Sequence, residues 1–434
     1  MAYLPADFDR LPPQAPEAAE TLAPSPPLWQ LLLQDMRACL AAGVVLLVLV
    51  MAFIGPWLWP QDPATQWLSQ VSSGPSAARR VDVVSDEFWH GPRQNVSALT
   101  ALQATTTQVK LAWPDRADAM SYRVYRNAGG VGLGMPLIET VKTHYADRLQ
   151  LSEQRYRYSV VAVRADGSTS DPEWIEVKPE LTLGTFEAQL LGLDVMDGKV
   201  SLPSHPLGTD ALGRDMLSRI LHGAQTSMLV GLSAPLLFIT LGAFYGALAG
   251  LLGGWVDNVL MRIADFVVAL PFLLFMILFR VALGIESGES GLFPMVMAMV
   301  LLSWPSAARL VRGQVLQLRE SAFVMSARLA GAGNFYLIRR HLLPNVLPLL
   351  LVSLSFAIPQ AIFTEALLSF IGMGVVPPTP SWGTLCNEGI RSMLTHPHEL
   401  IIPALAISIT VLSFNVLGDA LRDAMDVKVR RSLR

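Results

Sequence analysis

The chain has 434 residues, of which 52% are hydrophobic and 15% charged, with a formal net charge of −3. Soluble domains carry about 25% charged residues, so this composition argues for a membrane protein, and the absence of a long Lys/Arg block argues against nucleic acid as a partner. Cys39 and Cys386 lie far apart without metal-ligand spacing, which argues against a disulfide framework and a zinc site.

Residues 1–37 are rich in Pro and Ala ("LPPQAPEAAETLAPSPP") and read as a disordered cytoplasmic tail. Ala38 to Trp59 carries no charge and ends in the aromatic "PWLWP", which suits a membrane interface. A signal peptide is the rival reading of this stretch. The long segment before it and the lack of a small-x-small cleavage site favour a retained transmembrane helix over 38–59.

Residues 60–91 read as a linker. From about Asn95 the stretches "VSALTALQA", "TTQVKLAW", "SYRVYRN", "PLIETV" and "RYRYSVVAV" alternate apolar with polar residues, separated by turn signals such as "NAGG" and "ADGS". Short strands at this spacing predict a β-sandwich. The segments "AWPDRADAMSYRVYR" and "YRYSVVAVRADGSTS" resemble a fibronectin type III domain over 92–178. That resemblance implies that Trp113 is a core tryptophan of the second strand. It also implies that Tyr158 is a corner tyrosine bonded to nearby backbone.

Residues 179–225 read as a second linker and a helix. Thr209 or Asp210 is placed to cap that helix, and Leu212, Met216, Ile220 and Leu221 lie at roughly helical spacing. Asp215 and Arg219, four apart, are placed to pair on a wet face. Such a helix fits the membrane interface, and contact with substrate or a binding protein is the alternative.

Five further stretches approach the length of a bilayer span: Thr226 to Val256, Phe266 to Gly284, Gly291 to Ala308, Val346 to Thr364 and Leu400 to Gly418. The expected fold class is therefore an all-α polytopic membrane protein of about six transmembrane helices with a β-sandwich insert. The tails and the loops 257–265 and 309–341 carry most of the Lys and Arg of the short connections, against Arg280 and Arg391 on the other side. The positive-inside rule then puts both termini in the cytoplasm and 60–225 outside, with 420–434 a basic cytoplasmic tail.

Between two apolar runs lies "SARLAGAGNFYLIRRHLLPN". Gly331 and Gly333 break a helix-forming stretch, Asn334 is placed to cap a second short helix in which Phe335, Ile338 and Leu342 share a face, and Pro344 suits the first turn of the next span. The segment reads either as a bent plug carrying Arg328, Arg339 and Arg340 into a groove of a soluble partner, or as a loop whose arginines hold it in the cytoplasm.

The motifs "HPLGTDALGRDMLSRILHGA", "GGWVDNVLMRIADFVVALP", "RHLLPN", "EALLSFIGMG", "PSWGTL" and "FNVLGDALRDAMD" resemble, in order, a C-type permease subunit of the dipeptide/oligopeptide/nickel ABC importers. The resemblance covers the first span and 205–427. It implies the ABC importer permease fold, with a five-helix core over 226–419 and a cytoplasmic coupling loop over 314–344. Within that loop Met325, Ser326, Ala327, Arg328, Gly331, Gly333, Arg339, Arg340, Leu343 and Pro344 would contact an ATPase. Ala327, Gly331, Leu343 and Pro344 fit the family pattern of Glu-Ala-Ala, three residues, Gly, nine residues, Ile-x-Leu-Pro. Met325, Ser326 and His341 depart from it.

The resemblance further implies a bacterial inner-membrane location and four kinds of partner: a second related permease, two ATP-binding subunits, an external solute-binding protein and membrane lipid. Di- or oligopeptides are the implied solutes, with nickel or other small solutes the alternative. The family has a much shorter outside segment where the β-insert lies. The insert is expected to touch the binding protein or the partner permease, or else to be a tolerated insertion.

Ionisable groups at membrane depth are functional candidates. Arg280, Glu365 and Asn415 are candidates for the translocation path or a subunit contact, Arg280 with snorkelling as its alternative. Asp257, Asp265, Glu365 and Asp419 lie near span ends and read foremost as structural, which for Glu365 is the alternative to a path contact. Pro235, Pro271, Pro305 and Pro359 are placed to kink spans. No phosphate-binding loop, catalytic pair or metal spacing is seen, so neither catalysis nor a cofactor is expected in this chain, with ATP and magnesium on the partner ATPases. An adhesion receptor would need one span, and an intramembrane enzyme or proton-coupled carrier would need reactive groups at mid-span.

Overall fold

A computed structural model of the chain describes residues 32–130, 132–149, 151–284 and 291–432, with side chains to 425. The expected disordered tail over 1–37 lies, apart from 32–37, outside the described residues. The chain divides into two compact units. One comprises Met1–Phe53, Ala224–Val376 and Leu405–Arg434, the other Ile54–Gly223 and Pro377–Ala404.

In the first unit, α1 (Met36–Phe53) is built from Ala, Leu and Val with Leu40, Leu46 and Leu47 exposed, as lipid contact requires. The long helix α3 (Met216–Leu252) follows the second unit's α2, which is Thr185–Leu190. Then come α4 (Gly254–Val268), α5 (Phe272–Ala282), α6 (Leu292–Leu318), α7 (Ala322–Leu329), α8 (Leu343–Phe370) and, past α9 (Trp382–Gly389) of the second unit, α10 (His398–Ser432). Among the described residues five helices are long and apolar enough to cross a membrane, and α4 with α5 form a further, broken element bent by 87°.

Phe266 to Gly284, read as one span with a loop before it, is thus not one continuous helix, and the expected loop is helical. Residues 254–268 are helical, and the break falls where Pro271 denies the helix an N–H and disfavours the α conformation at Leu270. The 11 residues of α5 reach about 16 Å, half of a hydrocarbon core about 30 Å thick. Pro235, Pro305 and Pro359 lie inside helices that continue through them. The expected basic tail 420–434 is, to Ser432, the continuation of α10.

Close packing of α3 on α6 comes from glycines four residues apart. A Cβ on Gly242, Gly246 or Gly250 would stand 2.5 Å from the Trp304 carbonyl, 2.1 Å from that of Ala308 and 3.0 Å from that of Arg312. Small residues at this spacing let membrane helices approach closely. Around this seam Ile239, Ala243, Ala247, Val311 and Val315 form one buried cluster with Val324, Leu337, Ile338 and Leu342.

In the second unit a sheet ordered β2-β3-β6 faces a sheet ordered β5-β4-β7-β8. The strands are β2 (Thr100–Ala104), β3 (Val109–Ala112), β4 (Ser121–Asn127), β5 (Met135–Thr140), β6 (His144–Asp147), β7 (Tyr156–Val163) and β8 (Glu173–Val177). Inward residues of both layers, Leu111 and Trp113 against Val124, Tyr158 and Val160, fill the sandwich core. Trp113 is buried as expected, directly after β3.

Tyr158 departs from expectation, since its hydroxyl donates to the Asp147 carboxylate at 2.7 Å rather than to backbone. Tyr156 has the corner geometry instead, accepting from the Ser152 N–H at 3.1 Å. Both are inward residues of one strand, and the chain reversal before β7 brings only the earlier one beside Ser152.

The two expected linkers fold together. β1 (Arg79–Val84), from the first, pairs with β9 (Thr182–Gly184) and β10 (Lys199–Leu202), from the second, around buried Val81, Leu183 and Leu202. The expected interfacial helix is the first turns of α3. It starts later than read, because Asp215 and not Thr209 or Asp210 caps it, accepting from Ser218 N–H at 2.7 Å. Asp210 instead folds its own loop, accepting from the Leu212 and Arg214 N–H groups at 2.8 and 2.9 Å.

Candidate coupling surface and pathway wall

The bent segment begins after α6, where Ser321 opens α7 and Ala330 closes it. Gly331 then takes φ +87°, a left-handed conformation that side chains resist, and so turns the chain. A second helix, Asn334–Leu337, follows and widens into a π turn over Ile338–Leu342 before α8. Pro344 within the first turn of α8 offers no N–H to close a bond one turn back, and the helix widens there.

Two expected details change. Gly333, with extended ψ, holds the N-cap position, and Asn334 is the first helical residue. Phe335, Ile338 and Leu342 do not form one presented face: Ile338 and Leu342 are buried with Val324 and Leu337, while Phe335 is 70% exposed. The buried four anchor the bend. Leu329, at 89% exposure, Met325, Phe335 and Tyr336 stand out from it.

Ser326, Arg328, Gly331, Gly333, Arg339, Arg340 and Pro344 are also exposed, and Ala327 and Leu343 half-buried. None of Arg328, Arg339 and Arg340 makes an ion pair among the described residues, whereas Arg309 and Arg312 pair with Asp265 and Asp257. The bend thus presents apolar side chains beside uncompensated positive charge.

Arg280, expected to snorkel or line a path, is held within this unit. It is 9% exposed and donates to the Met373 carbonyl at 2.9 Å. Glu365 is fully buried and accepts from Ser227 Oγ at 2.7 Å and Ser369 Oγ at 2.8 Å. Ser369 in turn accepts from the Val375 N–H at 3.1 Å. Arg280 and the Glu365–Ser369 pair therefore hold the same turn, residues 371–375, from two helices. Asn415 is half-buried on α10.

Sequence reasoning missed the polar wall of a cavity of about 870 Å³ among α3, the α4–α5 break, α6 and α8. Ser303, Ser306, Ser353, Gln360 and Thr364 line it together with phenylalanines, and no ionisable side chain does among the described residues. The signal was present in the spacing, since Ser353, Gln360 and Thr364 lie seven and four residues apart on α8, along one face.

In the second unit Asp215 and Arg219 are not the pair expected on a wet face. Arg219, 1% exposed, binds Asp210 at 2.5 Å and Glu388 at 2.6 Å, and Arg214 binds both as well. Asp215 binds His205 Nδ1 at 2.8 Å and accepts from Trp59 Nε1 at 3.0 Å. Two arginines sharing two carboxylates lock the loop 204–215 to α9 within this unit.

Residues 242–431 match the family described as binding-protein-dependent transport system inner membrane component. Residues 28–75 match the N-terminal transmembrane domain of oligopeptide transport permease C. Neither match includes 76–241, where the sandwich lies. The chain is 42% identical to the dipeptide transport system permease protein DppC of Bacillus subtilis over 52% of its own length and 70% of the relative's. It is 42% identical to the oligopeptide transport system permease protein OppC of the same organism, over 52% and 73%. The glutathione transport system permease protein GsiD of Pectobacterium atrosepticum is matched at 42% over 52% and 74%. A chain of the inward-facing MetNI methionine ABC transporter aligns at 16% identity over 47% of this chain and 95% of its own, with a TM-score of 0.38, too distant to bear on this geometry.

Proposed function

The chain belongs to the inner-membrane components of binding-protein-dependent transport systems, and on that premise we propose that it is one half of a peptide importer's pathway, driven through its bent segment. Two ATP-binding subunits, carrying ATP and magnesium, close on nucleotide. One of them receives the bend at Met325–Pro344, with Leu329, Phe335 and Tyr336 in an apolar groove and Arg328, Arg339 and Arg340 against acidic residues. A second, related permease completes the pathway, and an external binding protein delivers the solute.

In this reading both termini and the bend lie in the cytoplasm, and 60–225 lies outside. Di- or oligopeptides are the proposed solutes because the relatives are named for dipeptide, oligopeptide and glutathione transport. Nucleotide shifts such a transporter only if the ATPase dimer binds its two conformations unequally, so the contact that feels closure has to be rigidly tied to the spans.

The observation that carries the proposal is that tie. Val324, Leu337, Ile338 and Leu342 on the bend pack in the same buried cluster as Ala243 and Ala247 of α3, Val311 and Val315 of α6 and Val346 and Leu350 of α8. Force on the bend reaches three spans at once. The test is purification of the intact complex through this chain, followed by disulfide crosslinking from Ser326→Cys and Leu329→Cys. Crosslinks to a co-purifying ATPase, and peptide uptake that requires ATP, are expected. Transport by the chain alone would overturn it.

A further inference from the structure

The cavity wall described above rests on the reading of this chain as half of a pathway, and it also bears on what passes. Polar side chains at membrane depth face protein or water rather than lipid, because hydrocarbon offers them no partner. Five of them line this one cavity, which therefore faces water or protein rather than lipid.

Their hydrogen bonding differs. Ser306 Oγ donates to the Ser303 carbonyl at 2.8 Å, Ser353 Oγ to that of Leu349 at 3.0 Å and Thr364 Oγ1 to that of Gln360 at 2.8 Å. A hydroxyl whose proton is committed to its own helix keeps only lone pairs for the cavity. Gln360 is exposed, and its side-chain amide has no partner among the described residues. It offers two N–H donors and one carbonyl acceptor at once.

We propose that Gln360 is the solute-selecting residue of this wall, and that it selects peptides by their main-chain amides irrespective of side-chain charge. A peptide group presents one N–H and one C=O, the complement of a primary amide, and the phenylalanines beside it accept side chains without reading them. A charged solute side chain meets neither a counter-ion nor a like charge here. A metal ion would find no carboxylate, imidazole or thiolate among the residues of this wall.

The complex purified with its partner chains and binding protein, reconstituted in vesicles, tests this with Ala-Ala-Ala, Ala-Glu-Ala and Ala-Lys-Ala. The natural complex is expected to take all three at similar rates. Gln360→Glu places a charge on the wall and is expected to move the Ala-Lys-Ala to Ala-Glu-Ala uptake ratio about tenfold towards the basic peptide. Ser303→Asp on α6 is expected to move it the same way, and Gln360→Leu to slow all three peptides together. If the natural complex carries peptides but neither acidic variant moves the ratio, the selecting role is wrong while the importer reading stands. If the natural complex carries no peptide, the importer reading itself falls.

Discussion

Arg312 of α6 grips Asp257 of α4 through two parallel hydrogen bonds of 2.6 Å, Nε to Oδ1 and Nη2 to Oδ2. Asp257 is buried and Arg312 one-third exposed, so solvent screens the pair only in part. Asp257→Asn leaves the guanidinium without its counter-charge and is expected to cost about 1–3 kcal/mol, read as a lower melting temperature of the detergent-solubilised complex. The swap Asp257→Arg with Arg312→Asp should regain part of the loss. A swap no better than the single variant would show that the position, not the pair, matters.

Helix approach at the glycine seam has its own test. Gly246→Ala drives a methyl onto the Ala308 carbonyl and is expected to destabilise by about 1–3 kcal/mol. Gly313→Ala, which meets nothing within 4 Å, is expected to be neutral or to stabilise by about 0.5–1 kcal/mol. Equal melting temperatures for the two variants would contradict the packing.

The two glycines of the bend are not equivalent. Gly331→Ala forces a side chain into φ +87° at a cost of about 1–2 kcal/mol, so ATP-driven uptake should fall severalfold while assembly of the complex persists. Gly333→Ala, at φ −71° and in open space, should transport normally. A Gly331→Ala complex as active as the natural one would mean that the bend tolerates reshaping.

Burial pushes the Glu187 carboxyl above the ordinary glutamate range, the Asp86 charge adds to the rise, and the Ser69 N–H and hydroxyl, at 3.0 and 3.2 Å, oppose it. A raised folded-state value means that the fold prefers the protonated acid. That stabilisation is complete below the unfolded value of about 4.3 and is lost as pH rises through the folded one. Glu187→Gln should therefore gain stability over the natural chain as pH climbs through this window, with the smallest gap at the acid end. Hydrogen-exchange protection of β9 and α2 across pH would show it, and a gap independent of pH would refute it.

Much of the fold was legible because membrane and sheet impose strong periodicities. Uncharged runs such as the one from Ala38 have one stable solution in hydrocarbon, although its helix ends at Phe53 rather than Trp59, and the alternation in "RYRYSVVAV" suits only a strand with one face buried. Gly242, Gly246 and Gly250 stand four apart in the sequence, but a spacing alone names neither a seam nor its partner helix. Short β6 and β8 carry too few residues for their alternation to stand out.

The bend shows where that reading stops. Its helix-breaking glycines and its arginines were plain in the sequence, yet the face carried by Phe335, Ile338 and Leu342 came out wrong. A helical wheel assigns which residues share a side and says nothing about which side the neighbouring spans occupy.

The sequence alone therefore determined the membrane class, the bend and the family, because local hydropathy, turn chemistry and ordered motifs are properties of contiguous residues. Only the tertiary structure decided that the α4–α5 element is broken by 87°, that Arg214 meets Glu388 across 174 residues, and that Ser303 and Gln360 look into one cavity. Those relations join residues far apart in the chain. Their energy comes from burial and charge pairing that do not exist until the helices have packed.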